Sequence, residues 1–284
     1  MNIQSLSIVV PTGECWNNCA YCVSRMHHED YGKSILCHNE IPQSYLNRIK
    51  FVRDEGCNSM ILTGTAEPQQ NLSFIYKLLQ ENQSLPKPFY NISIQTTASH
   101  LNEKDIVNLI NAGITTFAIS LSSFNENRHW EITNTPFYCR TIYFNTLFKI
   151  IKENGANIRA CFNLTDEFTE YLPEVFFQWC ELHKIDQATF RKIYADGNNE
   201  KAKWVHNHEY PEEKFNKIVE YVRSMGTAVS RLPYGFIQYD VNGISTVIDD
   251  NCMDKNNIKD MKYMILRPNG HLYSKWDLKG SLVF

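Results

Sequence analysis

Three cysteines crowd into the segment "CWNNCAYC" at residues 15–22, although the whole chain of 284 residues has only nine. Thiolates at this spacing are typical of a metal site. A structural zinc site needs four protein ligands. Three thiolates on a four-iron cluster leave one iron with an open coordination position, which a reactive site requires. The spacing of Cys15, Cys19 and Cys22 therefore predicts a metal centre on one loop.

A second interpretation of these cysteines stays open at this point. A zinc-stabilised binding protein without catalytic activity would recruit Cys37, His27 or His28 as the fourth ligand. The remaining cysteines before the tail lie within or beside predicted elements and are interpreted as buried core thiols. They are Cys37, Cys57, Cys139, Cys161 and Cys180.

The strands and helices on either side of the cysteine loop must position it, and the sequence predicts that they alternate along the chain. The predicted strands are 5–10, 58–63, 90–97, 115–122, 157–164 and 187–194. The predicted helices between them are 44–56, 71–82, 102–113, 137–154 and 172–184. Parallel neighbours need crossover connections, so this order predicts a parallel sheet with outer helices, as a full or partial barrel. Chemistry is expected at the carboxyl ends of the strands.

The character of the chain changes near residue 227. Residues 1–226 are predicted to form the barrel core, and residues 227–284 a β-rich extension that packs as a small sheet against it. Pro268-Asn269-Gly270 predicts a hairpin turn in this extension.

The cysteine spacing, with Tyr21 directly before the last cysteine, resembles the signature of radical S-adenosylmethionine (radical SAM) enzymes. In that family the signature follows the first strand of a partial (β/α)6 parallel barrel. The resemblance, over residues 5–195, implies this α/β fold with a small C-terminal β extension. It also implies that the three cysteines hold one 4Fe-4S cluster, whose fourth iron is chelated by S-adenosylmethionine. One electron, from a donor such as flavodoxin or ferredoxin, then cleaves the sulfonium to a hydrogen-abstracting 5′-deoxyadenosyl radical.

The loop "TGTAEP" at 63–68 follows the second predicted strand. The family usually has Gly-Gly-Glu-Pro there, and the resemblance implies that the loop backbone and Glu67 hold the methionyl ammonium. Thr65 and Ala66 replace the two glycines. A residue with a Cβ is less free to adopt a positive φ, so the close approach of the backbone is expected to be altered.

Four polar residues near the ends of later strands match positions with a ribose or carboxylate contact in relatives. They are Ser120, Ser122, Asn163 and Arg191. The alternative interpretation is that each is a strand-end residue whose hydrogen bonds are satisfied by backbone or water.

The substrate is predicted to be a small molecule or nucleotide-like, because the connection at 191–210 combines cations and aromatic residues. A solvated surface loop is the alternative. A second enzyme hypothesis is a peptide- or protein-modifying member of the family, including an activator of a glycyl-radical partner. The tail has only Cys252, so we expect no second cluster.

Net charge and hydropathy also limit the partners and the cellular location that we expect for this protein. The net charge of −3 gives no electrostatic reason to expect nucleic acid or an anionic membrane as partner. No apolar run reaches the length of about 18 residues that a membrane span needs. The first residues also lack the pattern of a secretory signal, so a cytoplasmic protein is expected.

Overall fold

The computed structural model describes residues 2–27, 40–193, 195, 197–232, 236–249, 260–276 and 281–283. The side chain of His27, and the whole of His28, Cys37 and Cys252, lie outside the described part. Within it, no helix has the length and apolar character needed to cross a membrane.

Six parallel strands form the centre of the sheet, in chain order. They are β1 (Asn2–Val9), β2 (Ser59–Thr63), β3 (Asn91–Thr96), β4 (Thr116–Leu121), β5 (Asn157–Leu164) and β6 (Gln187–Lys192). The described helices are α1 (Val23–His27), α2 (Gln43–Asp54), α3 (Leu72–Gln83), α4 (Glu103–Ala112), α5 (Glu126–Ile132), α6 (Phe144–Glu153), α7 (Pro173–Leu182), α8 (Glu200–Asn207) and α9 (Glu212–Met225). The predicted parallel α/β architecture is confirmed.

The C-terminal strands extend this sheet at both edges. They are β7 (Thr227–Arg231), β8 (Ile237–Val241), β9 (Ile244–Asp249), β10 (Asp260–Leu266) and β11 (Leu272–Tyr273). The full order is β11-β10-β1-β2-β3-β4-β5-β6-β9-β8-β7, with β10 parallel to β1 and β9 parallel to β6. The tail therefore does not form a separate small sheet, because its strands pair with the edges that six strands alone would leave open.

The main core lies between the sheet and the outer helices. On β2, Met60 and Leu62 are fully buried toward the helices, whereas Ser59 and Ile61 are partly exposed on the other face. On β5, Ile158, Ala160, Phe162 and Leu164 belong to the same core, because alternate side chains of a strand point to one face. Each fully buried Leu or Phe stabilises the fold by about 1.5–3 kcal/mol. The opposite face of the sheet carries polar residues on most of the central strands.

Local signals explain several element boundaries. The Asn102 side chain accepts a hydrogen bond from Asp105 N (3.0 Å) at the start of α4, which ends at Gly113 with φ +121°. Gly270, with φ +79°, closes the predicted turn between β10 and β11.

Two predicted segments differ from the structure. The helix expected over 137–154 begins only at Phe144, because a short 3-10 turn at Phe137–Cys139 precedes it. The connection at 191–210 contains α8, whose first turn is capped by the Asn199 side chain accepting from Ala202 N (3.0 Å).

Candidate functional site

The three cysteines lie on the loop between β1 and α1, as the sequence predicts. Their side chains are partly exposed. The loop turns tightly at its end, where Cys22 N donates to Cys19 O (3.2 Å). It is also anchored to the end of α5, because Ala20 N donates to Ile132 O at 2.9 Å. The loop conformation is thus fixed by backbone contacts to a neighbouring element.

Two basic side chains hold the outer side of this loop. Arg25 donates to the carbonyl oxygens of Cys15 (3.4 Å) and Asn17 (3.2 Å). Lys201 of α8 donates to Asn18 O at 3.1 Å. Helix α8 packs on α1, where Met26 is buried against Ala202 and Val205. The helix that the sequence interpretation missed therefore helps to position the cysteines.

The Glu67 carboxylate lies next to this loop and is 6% exposed. Its Oε2 accepts from Thr96 Oγ1 (2.6 Å) and Gln69 Nε2 (2.8 Å), and its Oε1 accepts from Thr97 Oγ1 (2.8 Å). Thr97 N donates to both oxygens at 3.2 Å. Asn17 Nδ2, from the cysteine loop, donates to Oε1 at 3.3 Å. These donors hold a buried negative charge in one orientation.

Asn17 connects three loops, although the sequence interpretation gave it no role. Its side-chain amide also donates to Thr97 Oγ1 (2.8 Å) and Ser99 Oγ (3.0 Å) on the loop after β3. That loop is strained, since Ala98 and His100 have φ of +66° and +55°. Asn17 and its neighbour Asn18 both look like turn residues in the sequence, so only the burial of Asn17, at 1% exposure, reveals its role.

The thiols lie in an environment that disfavours negative charge. Burial, with the Glu67 carboxylate as the second cause, raises the pKa of the Cys15 thiol to about 11. Burial, followed by the charge of Cys22, also raises the pKa of Cys19. Without a metal cation these two thiols are protonated at neutral pH, and a bound cation would stabilise their thiolates.

A zinc ion and an iron-sulfur cluster require different arrangements of their cysteine ligands. Zinc ligands converge on one ion, which places sulfur atoms about 3.8 Å apart at Zn–S distances near 2.3 Å. Among the described residues, no group of three or more His, Cys, Asp or Glu side chains converges in this way. Ligands that each bind a different iron of a cluster need not converge. Three thiolates on one loop match the ligand set of a cluster in which each cysteine binds its own iron.

Tyr21, Ser122 and Asn163 meet beside the cysteine loop. Asn163 Nδ2 donates to the Tyr21 hydroxyl (3.1 Å), which lies 2.6 Å from Ser122 Oγ. Burial, with Cys19 as the second cause, raises the pKa of Tyr21. The structure thus brings the predicted site residues Ser122 and Asn163 together, because both contact the hydroxyl of Tyr21 in the cysteine motif.

His129 is a buried residue that the sequence interpretation missed. Its Nε2 lies 3.1 Å from Thr97 O, which can only accept, so Nε2 carries the proton. Its Nδ1 accepts from Ser122 N at 3.2 Å. Burial lowers the pKa of His129 to about 4. A neutral imidazole therefore joins the loops after β3 and β4.

Arg191 lies on the same side of the sheet at the end of β6. It pairs in register with Asn163 on β5 and with Asp249 on β9. Its Nε is 3.5 Å from Asp249 Oδ2, and this carboxylate is 5% exposed. Asp249 is a further polar residue of the site that lies in the tail and was not predicted.

The other predicted residues occupy the expected loops and strands. Ser120 pairs in register with Cys161, two residues before Ser122. Ala66 is 8% exposed and Thr65 is partly exposed, and neither has a positive φ. The Cβ atoms of these two residues are therefore compatible with the observed backbone, and the expected change in the approach of the loop to the cofactor stays a prediction.

The remaining described cysteines are buried, in agreement with the core interpretation; they are Cys57, Cys139, Cys161 and Cys180. A cavity of about 550 Å³ lies on the outer helical layer, next to Phe124, Tyr143 and Trp179. It is lined by none of the predicted site residues.

Comparisons with known proteins were made by sequence and by structure. Residues 9–166 match the profile of the family described as the Radical SAM superfamily. An uncharacterised protein of Methanocaldococcus jannaschii is 23% identical over 196 residues, which cover 66% of this chain and 62% of that protein. The chain thus spans less than two thirds of the length of this relative.

Two solved structures share the fold. SuiB of Streptococcus suis bound to S-adenosylmethionine has a TM-score of 0.64 at 13% identity, covering 99% of this chain and 63% of SuiB. The protein anSMEcpe with bound AdoMet and the Kp18Cys peptide has a TM-score of 0.64 at 13% identity, covering 99% of this chain and 76% of anSMEcpe.

Proposed function

This chain belongs to the radical SAM superfamily and is an enzyme, and we propose that Cys15, Cys19 and Cys22 bind one 4Fe-4S cluster that works with S-adenosylmethionine. One observation carries the proposal. The cysteine loop after β1 and Glu67 after β2 belong to one buried network, joined by the hydrogen bond from Asn17 to Glu67 (3.3 Å). A metal site with a purely structural role would not require a carboxylate held in this way.

The residues around the loop would bind S-adenosylmethionine. Glu67, with the backbone at Thr65 and Ala66, would accept the methionyl ammonium, because a buried carboxylate with fixed orientation favours a cation. Its present donors include rotatable hydroxyls of Thr96 and Thr97, which can turn toward other acceptors.

Polar groups at the carboxyl ends of β4, β5 and β6 would contact the rest of the cofactor. Ser120, Ser122 and Asn163 offer hydroxyl and amide groups to the ribose, and Arg191 offers a guanidinium to the carboxylate. When bound, the cluster and S-adenosylmethionine supply a 5′-deoxyadenosyl radical for hydrogen abstraction. Tyr21 would orient Ser122 and Asn163, since its hydroxyl is hydrogen-bonded to both.

We propose a small-molecule or nucleotide-like substrate for this site. The connection at 191–210 supports this, because its lysine, histidine and aromatic side chains suit a phosphorylated or nucleotide-like ligand. An electron donor such as flavodoxin or ferredoxin would supply the electron.

A peptide or protein substrate is the second candidate. It is favoured by the structural likeness to SuiB, which has also been solved bound to its precursor peptide SuiA, with a TM-score of 0.59 over 95% of this chain. The likeness itself extends only to the fold.

The cluster proposal is tested by anaerobic purification and metal analysis. We expect about four irons and four sulfides per chain in the wild type, and their loss in Cys15→Ala, Cys19→Ala and Cys22→Ala. Cys57→Ala, at a buried thiol outside the site, is the matched control and should retain the cluster. One zinc and no sulfide in the wild type would refute the proposal.

Cofactor cleavage and substrate class need separate assays. With dithionite and S-adenosylmethionine, the wild type should release 5′-deoxyadenosine, and the three cysteine variants should not. Release of 5′-deoxyadenosine by the wild type is then measured with nucleoside phosphates, and separately with a peptide pool, added as candidate substrates. Stimulation by nucleoside phosphates supports the first candidate, whereas stimulation by peptides alone replaces it with the second.

A further inference from the structure

A second polar cavity lies at the opposite end of the sheet from the cysteine loop. It has a volume of about 280 Å³ and is lined by the first residues of five strands, among them Ser59, Thr116, Asn157 and Gln187. Arg159 on β5 also lines it. At about 3.3 Å per residue, Arg159 lies about 13 Å along β5 from Asn163, so this cavity is separate from the proposed cofactor site.

Arg159 brings a positive charge into this cavity, and no carboxylate of the described residues forms an ion pair with it. Among the described residues, the structure gives its guanidinium one hydrogen bond, from Nε to Gln187 Oε1 (2.7 Å). Burial is the main cause that lowers the pKa of Arg159, and the positive charge of Arg191 lowers it further. Arg159 is partly exposed at the cavity, and four of its five N–H donors make no hydrogen bond to the described residues and are available to a ligand.

The neighbouring carboxylate is engaged elsewhere. Asp186, directly before β6, accepts from Lys152 Nζ (2.5 Å) and from Ile158 N (2.8 Å). The cavity lining is otherwise made of serine, threonine, asparagine and glutamine side chains. All of these are neutral and can donate hydrogen bonds.

Ser93 is the second, independent sign of a ligand. Its side chain lines the cavity, the residue is 5% exposed, and its Oγ has no hydrogen-bond partner among the described residues. Buried hydroxyls in folded proteins nearly always have a partner. By contrast, Thr115 nearby exchanges hydrogen bonds with the backbone of Ile92.

We infer that this cavity binds a small oxyanion, with Arg159 as the charged contact and Ser93 as a hydroxyl donor. A guanidinium with converging hydroxyl and amide donors matches phosphate or a carboxylate in both charge and geometry. The volume holds such an anion together with several water molecules, each of which occupies about 30 Å³ in the liquid.

The test is calorimetric titration of the protein, purified under oxygen exclusion, with inorganic phosphate, glycerol phosphate and acetate at matched ionic strength. We expect saturable binding of phosphate, weakened about tenfold or more in Arg159→Gln. Lys149→Gln, at an exposed lysine on α6, is the charge-matched control and should bind as the wild type does. Preference for glycerol phosphate identifies a phosphate ester as the ligand, and preference for acetate identifies a carboxylate.

If Arg159→Gln does not fold, the variant Ser93→Ala provides a second test of anion binding. Removing an unpartnered buried hydroxyl should raise the thermal midpoint without phosphate, and should lower phosphate affinity. The inference is overturned if none of the three anions binds, or if binding persists unchanged in either variant. Release of 5′-deoxyadenosine is not part of these readouts, so they stand independently of the cofactor proposal.

Discussion

Replacing Asn17 by aspartate tests the buried network between the cysteine loop and Glu67. The change is nearly isosteric, but it puts an oxygen where an N–H₂ group donates to Glu67 Oε1 at 3.3 Å. Both residues are buried, with 1% and 6% exposure, so solvent screens the new contact poorly. We expect Asn17→Asp to destabilise the protein strongly at neutral pH.

The magnitude follows from the distance. Two negative charges 3.3 Å apart repel by about 5 kcal/mol at an effective dielectric constant of 20. Unfolding entropies of about 2.1 cal/mol/K per residue, over 284 residues, convert this into a fall of the thermal midpoint by about 8 °C.

The loss of stability should depend on pH. As the pH falls, one of the two facing carboxyls takes up a proton, the repulsion ends, and the new hydroxyl can donate as the amide does. The difference from the wild type should therefore shrink by at most about 1.4 kcal/mol for each pH unit of acidification.

Thermal unfolding under oxygen exclusion at pH 7.5 and pH 5.5 measures both effects. Asn18→Asp is the matched control, because it makes the same change at the exposed neighbour in the same loop. We expect this control within about 0.5 kcal/mol of the wild type. Equal midpoints for the two variants, or a difference that widens on acidification, would refute the reasoning.

Three further predictions concern stability. Since burial depresses the pKa of His129 to about 4, the stability that it contributes is present above pH 6.5 and is lost as pH falls, by about 2 kcal/mol at pH 5. Urea unfolding of His129→Gln should show a flatter acid dependence, and an unchanged slope would contradict the assignment. Tyr21→Phe removes the hydroxyl that Ser122 and Asn163 bond and should cost about 1–3 kcal/mol. The exposed Tyr90→Phe is the control and should leave the free energy of unfolding unchanged. Asn102→Ala removes the cap of α4 and should lower the free energy of unfolding by about 1 kcal/mol, measured in the same denaturant series.

Local patterns were sufficient to predict the central strands. β5 was predicted over 157–164 and is observed as Asn157–Leu164, because its alternation and the preceding Gly155 are both local signals. Helix α8 was missed because its buried face consists of little more than Ala202 and Val205. That face is buried by α1, which lies about 175 residues away in the chain, and a local sequence pattern cannot indicate such a distant contact.

The pairing of the tail could not be predicted for a similar reason. β10 lies beside β1, with Ile8 opposite Leu266, and its short apolar sequence would suit any neighbour. Strand register is specified by which face is buried, and this depends on the assembled sheet. The boundary proposed near residue 227 stays a prediction, although strands on both sides of it belong to one sheet.

The cysteine motif was recognisable because metal ligands impose a spacing, whereas the residues that support it do not. Asn17, Thr97 and His129 are ordinary polar residues in the sequence. Their importance arises from burial, since a polar group removed from water must find partners at fixed positions. Such partners lie 50, 80 and 82 residues from Asn17, on loops that only the parallel sheet brings together.

Strand β5 explains why polar sites can form at both ends of the same sheet. Ile158, Ala160, Phe162 and Leu164 face the helices and supply the core, so stability depends on one face of the strand. Arg159 near the amino end and Asn163 near the carboxyl end lie on the opposite face and do not belong to this core. Arg159 lines the polar cavity and Asn163 joins the cysteine loop through Tyr21. Changes at either end can therefore alter ligand binding while the hydrophobic core stays intact, which is why the two proposed sites can be tested separately.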